Sequence, residues 1–220
     1  MSHNQNHQQG VNVIAKSWSL ATWNVRGVNG NVDDLVRVMQ ERKLDVLCVS
    51  ETKRKGKEVH LVEPVDDCDG KEGGYQALWS GVDSDAHGSQ GVGLILSCRV
   101  KQHMRDYRLV SSRLLWVRLK VGISRVLIVS CYAPGEGEND RVKDAFWDEL
   151  SDILRGYEAN ERVIVLGDLN GWVGVRRDGL DDVLGKFGDP RVNDNGTRVI
   201  NLCIEHKLFV SNTWFKHKYT

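Results

Sequence analysis

The stretch that most constrains this chain is Val163-Ile164-Val165-Leu166-Gly167-Asp168-Leu169-Asn170. Four apolar residues in a row, three of them β-branched, read as a buried strand. The run breaks at a glycine and then presents a carboxylate and a carboxamide two residues apart. On an extended backbone residues i and i+2 share a side, so Asp168 and Asn170 would point at one spot from a rigid support. Such a pair can orient a water and hydrogen-bond the oxygen that the water attacks. The competing reading is an Asx-type turn, in which both side chains only bond the local backbone. The tetrapeptide alone leaves both open.

Other runs end in the same manner. Residues 17–25 alternate partly like a strand and carry Asn24 just before Arg26-Gly27. Asn31 then caps a helix whose face carries Val32, Leu35, Val36 and Met39. Residues 45–50 read as a fully buried strand ending on Glu51, and strand–helix–strand with polar ends is the start of an α/β layout. Residues 53–74 read as a long exposed loop with a basic beginning at Lys53. Residues 75–80 and 91–97 suggest a hairpin pair, followed by strands at 114–121 and 126–132, the last ending on Tyr132. Their short turns indicate an antiparallel or mixed sheet.

A long amphipathic helix is expected over residues 140–157, with Val142, Phe146, Leu150, Ile153 and Leu154 as its stripe and Trp147 at its flank. Residues 171–195 form a Gly/Asp/Arg-rich connection containing Arg176 and Arg177, and connections of this length are often functional. Asn195-Gly196 opens another helix, and residues 208–211 read as a short strand. Residues 1–16, rich in Asn, Gln and His, read as a disordered leader, with one domain over residues 17–220.

Lys+Arg and Asp+Glu number 30 each, so no bulk positive charge announces a nucleic-acid partner, although a local patch suffices to hold a phosphate backbone. Five scattered cysteines, three of them in apolar runs, indicate reduced buried thiols and a nuclear or cytoplasmic setting. The longest apolar runs are strand length, so no membrane partner is expected. If the strands neighbour one another, Asn24, Glu51, Tyr132, Asp168 and Asn170 converge at one sheet edge. One carboxylate with oxygen and amide neighbours suits Mg²⁺, while no His/Cys cluster offers zinc a site.

The ordered set Thr22-Trp23-Asn24-Val25-Arg26-Gly27, Ser50-Glu51-Thr52-Lys53, Cys131-Tyr132-Ala133-Pro134 and Gly167-Asp168-Leu169-Asn170 resembles the endonuclease/exonuclease/phosphatase superfamily. The block from Asn193-Asp194-Asn195-Gly196 to Ser211-Asn212-Thr213 is similar to the apurinic-like endonuclease domains of non-LTR (LINE-type) retrotransposons and to craniofacial-development-protein-like derivatives. The resemblance implies a four-layer α/β sandwich of two packed mixed sheets flanked by helices, here without its last strands. It implies that Glu51, helped by Asn24, binds Mg²⁺ or Mn²⁺. Asp168 would orient or deprotonate the attacking water, Asn170 would hold it, and Tyr132 would bond the scissile phosphate. Arg26, Lys53, Arg176 and Arg177 would contact DNA. The implied activity is nicking of target DNA by a monomer, leaving a 3′-hydroxyl that primes a downstream reverse transcriptase domain. Two departures are visible: Arg26 stands where some relatives carry a carboxylate, and the family's terminal Asp-His motif is missing, so weak activity or none is expected. His87, His103, His206 and His217 lie in contexts that do not match that motif. Phosphoinositide or other small-phosphoester hydrolysis, and non-catalytic binding of DNA or protein, are the alternatives.

Overall fold

A strand with apolar side chains on both faces needs cover above and below, and layering supplies it. The computed structural model describes residues 17–28, 32–63, 74–85, 90–158, 160–175 and 178–216. Along them run β1 (Leu20–Asn24), α1 (Val32–Glu41), β2 (Val46–Ser50), β3 (Lys57–Val62), β4 (Tyr75–Ser80), β5 (Val92–Leu96), α2 (Cys98–Lys101), β6 (Met104–Ser111), β7 (Leu114–Val121), β8 (Ser124–Tyr132), α3 (Asp140–Arg155), β9 (Glu161–Asp168) and α4 (Asp194–His206). The strands make a five-stranded sheet, β1-β2-β5-β4-β3, and a four-stranded sheet, β6-β7-β8-β9.

Period-2 alternation divides their side chains among three cores. Val46 and Cys48 of β2 and Leu94 of β5 meet Leu115 and Val117 of β7 between the sheets. Leu47 and Val49, one residue out of phase, pack instead with Leu35, Val36 and Met39 of α1, the stripe expected from sequence. Leu127 and Val129 of β8 turn the other way, onto Phe146, Leu150 and Leu154 of α3 and Leu202 of α4. The order is helix, sheet, sheet, helix, the four-layer α/β sandwich with two mixed sheets.

Several local expectations are corrected. Residues 57–62 of the expected exposed loop form β3, paired antiparallel with β4 from Lys57↔Ser80 to Val62↔Tyr75, whereas residues 64–73 lie outside the described residues. The charged run Met104–Ser111, to which the sequence alone assigns no element, forms β6 beside β7. Both are outer strands rich in charge, so backbone pairing makes them strands while their apolar period stays weak. The strand expected at residues 208–211 is a lone Leu184–Val210 bridge followed by a 3₁₀ turn, because the segment meets a loop rather than a sheet edge. Val142 is 40% exposed, whereas Lys143 is 4% exposed and reaches Asp194 at 3.4 Å, since α3 turns that face towards α4. Residues 162–166 of β9 are half-buried or exposed rather than buried, for β9 is the outer strand of its sheet among the described residues. Asn31, the expected cap of α1, lies outside the described residues.

Candidate active site

Among the described strands, each sheet contains one parallel pair, β1 with β2 and β8 with β9, and the remaining pairings are antiparallel. Parallel neighbours end together, and the ends of β-strands are where loops can gather reactive groups. β1 ends on Asn24, β2 leads into Glu51, β8 ends on Tyr132 and β9 on Asp168, with Tyr132 level with Asp168. The two pairs face each other, and β1 packs on β9. Four residues from distant parts of the chain therefore meet. They come two from each sheet, which corrects the expected convergence at the edge of one sheet.

One amide stands at the centre. Asn24 Nδ2 donates to Glu51 Oε1 at 2.7 Å and to Asp168 Oδ2 at 3.0 Å. The Tyr132 hydroxyl donates to the same Glu51 oxygen at 3.0 Å. Burial, together with the bond and charge of Glu51, pushes the Tyr132 phenol up to about 12, so it remains a neutral donor through the physiological range. Arg113, 10% exposed at its side chain, lies over the Tyr132 ring at 5.3 Å and donates to the Tyr132 carbonyl at 3.3 Å. Sequence reasoning missed Arg113, because a lone arginine beside a hairpin turn carries no motif.

The backbone around these side chains is unusual. Glu51 (φ 54°) and Asn170 (φ 47°) adopt left-handed conformations, which cost non-glycine residues ~1–3 kcal/mol each and persist where the surroundings enforce them. For Asn170 the enforcement is visible: its backbone N–H donates to Asp168 Oδ1 at 3.0 Å and its Nδ2 to the Ala133 carbonyl at 2.8 Å. This is the Asx-type turn. The turn, rather than strand alternation, places Asp168 and Asn170, while Asp168 Oδ2 stays turned to Asn24. Gly167 (φ 144°) permits it, since a Cβ there would strike the Cys131 carbonyl of β8.

The Asn193–Gly196 block explains itself at this point. Asn193 caps α4 through the Gly196 N–H (2.8 Å), accepts from the Trp172 N–H (2.9 Å) and donates to the Asn170 carbonyl (2.8 Å). Asn195, fully buried, donates to the Pro134 carbonyl at 2.8 Å and accepts from Trp147 Nε1 at 3.2 Å. A Cβ on Gly196 would collide with the Trp172 carbonyl. Two asparagines and a glycine thus tie the loops after β8 and β9 to the start of α4.

Two of the remaining expected residues neighbour members of this cluster along the chain. Arg26 is exposed, and its backbone N–H donates to Asn24 Oδ1 at 3.2 Å. Lys53 is exposed two residues beyond Glu51. Arg176, Arg177, His87 and His217 lie outside the described residues. His206 bonds Ser151 at 2.9 Å and His103 faces Trp18 at 5.8 Å, both structural environments. A groove of ≈ 1130 Å³ runs along β9 and α4 and reaches Asn24, Asp168 and Asn170.

Two carboxylates gathered about one amide are hard oxygen donors, and Mg²⁺ binds through one or two carboxylates while keeping several waters. No group of three or more His, Cys, Asp or Glu that could hold a metal ion occurs among the described residues. Glu51 and Asp168 offer carboxylate oxygens of the kind a hard divalent cation takes. Asn24 presents its nitrogen to both carboxylates while its Oδ1 accepts from the Arg26 N–H.

Comparison with known proteins agrees with the architecture. Craniofacial development protein 2 of Bos taurus is 27% identical over 215 residues, covering 91% of this chain and 32% of that protein. The chain spans about a third of the length of the curated relatives it matches. The AP endonuclease LMAP of Leishmania major superposes with a TM-score of 0.58 at 18% identity, over 86% of this chain and 66% of that one. The endonuclease domain of TRAS1, a telomere-specific non-LTR retrotransposon, gives 0.52 at 12% identity, over 86% and 71%. At such identities these structures speak to the fold. Residues 21–199, the span that carries all five clustered side chains, match the sequence profile of the Endonuclease/Exonuclease/phosphatase family, and the chain belongs to it.

Proposed function

We propose that this chain is a divalent-metal-dependent DNA endonuclease that nicks one strand and leaves a 3′-hydroxyl, as a retrotransposon needs to prime reverse transcription. The observation that supports this most is the Asn24 amide bridging Glu51 and Asp168 at 2.7 and 3.0 Å. That arrangement supports a reading in which both carboxylates act on one phosphate. Asp168, oriented by Asn170 and Asn24, receives the attacking water. Tyr132, kept neutral, donates a hydrogen bond where charge develops on the phosphate oxygens. Glu51 is the principal metal ligand, and bound Mg²⁺ or Mn²⁺ would supply charge neutralisation and polarisation of the phosphate. Arg26 and Lys53, both exposed, together with Arg176 and Arg177, carry the DNA backbone. The nicked end passes to a reverse transcriptase domain of the same longer polypeptide.

The test is nicking of supercoiled plasmid with Mg²⁺, the full chain against Asp168→Ala. Loss of an oriented general base lowers the rate by about 10²–10⁴-fold. Equal nicking by the two proteins overturns the assignment. Plasmid binding without nicking by either points to a non-catalytic binder, and faster release of phosphate from a phosphoinositide than nicking points to a small-phosphoester enzyme.

A further inference from the structure

The second sheet carries a pocket at the end remote from the catalytic cluster. Arg105 of β6, Arg118 and Lys120 of β7, Arg125 of β8 and Glu161 of β9 line it, with Glu158 from the loop after α3. Arg125 pairs with Glu161 at the start of the β8–β9 ladder, and Tyr132 pairs with Asp168 at its end. At ~3.3 Å per residue, that ladder separates the pocket from the catalytic cluster by about 23 Å. Both carboxylates of the pocket are already satisfied. Glu161, its side chain closed to solvent, accepts from Arg118 Nε at 3.1 Å and from the Glu158 N–H at 3.0 Å. Arg118 also donates through Nη2 to the Gly156 carbonyl at 2.6 Å and lies over the Trp116 ring at 5.2 Å. Glu158 pairs with Arg125. Arg105 and Lys120, both exposed, have no ion pair among the described residues, so two positive charges are left in surplus.

The backbone assembles that surplus against its own repulsion. Lys120 and Arg125 stand directly opposite each other in the β7–β8 register, where like charges destabilise a sheet. Arg105 is the extra residue of a β-bulge, because Met104 pairs with Leu119 while Asp106 already pairs with Arg118. A bulge re-aims the side chain it inserts, and here that side chain lines the pocket. Asp106 accepts instead from the Tyr107 N–H at 2.8 Å and stays outside the lining. An anion set between these cations turns their repulsion into attraction. We propose that the pocket binds phosphate, with Arg105 and Lys120 as its principal contacts, either as the free ion or as the terminal group of a small monoester. Pockets for drug-sized molecules begin at about 300 Å³, so a volume of ≈ 200 Å³ suits one phosphate group rather than a whole nucleotide. The site is separate from the catalytic cluster, and the inference does not rest on the endonuclease reading.

The experiment is isothermal titration calorimetry of the full chain at neutral pH and low salt, in buffer stripped of divalent metal. The probes are inorganic phosphate and glycerol 3-phosphate, used separately. Losing one charge-assisted contact corresponds to about tenfold in affinity, so Arg105→Gln and Lys120→Gln should each weaken phosphate binding about tenfold. The double variant should weaken it about a hundredfold, and Lys120→Arg should change it by less than about threefold. Binding of phosphate alone identifies the free ion as the ligand, and equal binding of both probes identifies a terminal phosphate group. Phosphate should also raise the melting temperature of the parent but not of the double variant. In phosphate-free buffer Lys120→Gln should melt no lower than the parent, because it removes a like-charge opposition; a merely structural lysine would lower it. Plasmid nicking by the double variant should match the parent. Absence of binding by the parent, undiminished binding by the double variant, or a fall in nicking that tracks the fall in phosphate affinity overturns the proposal.

Discussion

Replacing Asn195 with alanine isolates the tie between α4 and the loops that carry the site. The side chain is fully buried, accepts from Trp147 Nε1 at 3.2 Å and donates to the Pro134 carbonyl at 2.8 Å. Its truncation strands an indole N–H and a carbonyl in a closed interior, and each orphaned buried group costs ~1–3 kcal/mol. The two together cost about 2–6 kcal/mol, reduced to about 2–4 if a water enters the vacated space and bonds both. For a chain of this size the melting temperature falls by roughly 2–4 °C per kcal/mol, so a drop of roughly 5–15 °C is expected. Urea unfolding followed by circular dichroism measures the loss, and an unchanged m-value shows that compactness is retained. Trp147→Phe removes the donor alone. If the two side chains act through the bond between them, the double variant loses about 1 kcal/mol less than the sum of the singles. A loss below about 0.5 kcal/mol for Asn195→Ala, or strict additivity with Trp147→Phe, would refute the reasoning, because surface substitutions do as little.

Two further outcomes follow from the same geometry. Gly167→Ala forces a methyl group onto the Cys131 carbonyl at a left-handed position, so it should destabilise the chain by about 3 kcal/mol or more, and thermal melting unchanged from the parent contradicts that. The Tyr132 phenol, raised from 10.0 to about 12, holds its proton longer folded than unfolded, so its contribution to stability is complete below pH 10 and is lost as pH rises through 12. Ultraviolet titration of the parent minus Tyr132→Phe should therefore show no phenolate near pH 10, and a transition there refutes the account.

The parts of this fold legible from sequence were those in which burial and period coincide. Leu35, Val36 and Met39 fall on one face of α1, and the runs ending at Asn24, Glu51, Tyr132 and Asp168 are strands whose ends do meet. What stayed hidden depends on pairing, which no local pattern encodes. β3 and β6 are strands because β4 and β7 lie beside them, not because their own residues alternate cleanly. The same holds within the site. Asp168 and Asn170 were recognisable as a pair, but their placement by a left-handed turn depends on the Ala133 carbonyl of a neighbouring loop. Arg113 and Lys143 became visible only in three dimensions, since a buried cation is recognised by what surrounds it.

A site divided between two sheets is sensitive to a motion that a site on one sheet never meets, the sliding of the sheets against each other. Asn24 and Glu51 ride on one sheet, Tyr132 and Asp168 on the other, so a slide of about 1 Å would carry the two 3.0 Å bonds that cross between them, Asn24 to Asp168 and Tyr132 to Glu51, beyond good hydrogen-bond length. The apolar cluster between the sheets cannot prevent that alone, because burial of apolar area is non-directional. Directional contacts lie just beneath the site. Cys48 Sγ meets Ser130 Oγ at 2.9 Å and the Leu166 carbonyl at 3.4 Å, and Ser130 Oγ donates to the Gly93 carbonyl at 3.1 Å. These contacts join β2 and β5 of the first sheet to β8 and β9 of the second, two residues or fewer before Ser50, Tyr132 and Asp168. Polar groups inside an otherwise apolar layer are costly when unpaired, so they admit one alignment and penalise its neighbours. The apolar layer holds the sheets together; this short polar rung sets where they stop, and with it the spacing of the two carboxylates.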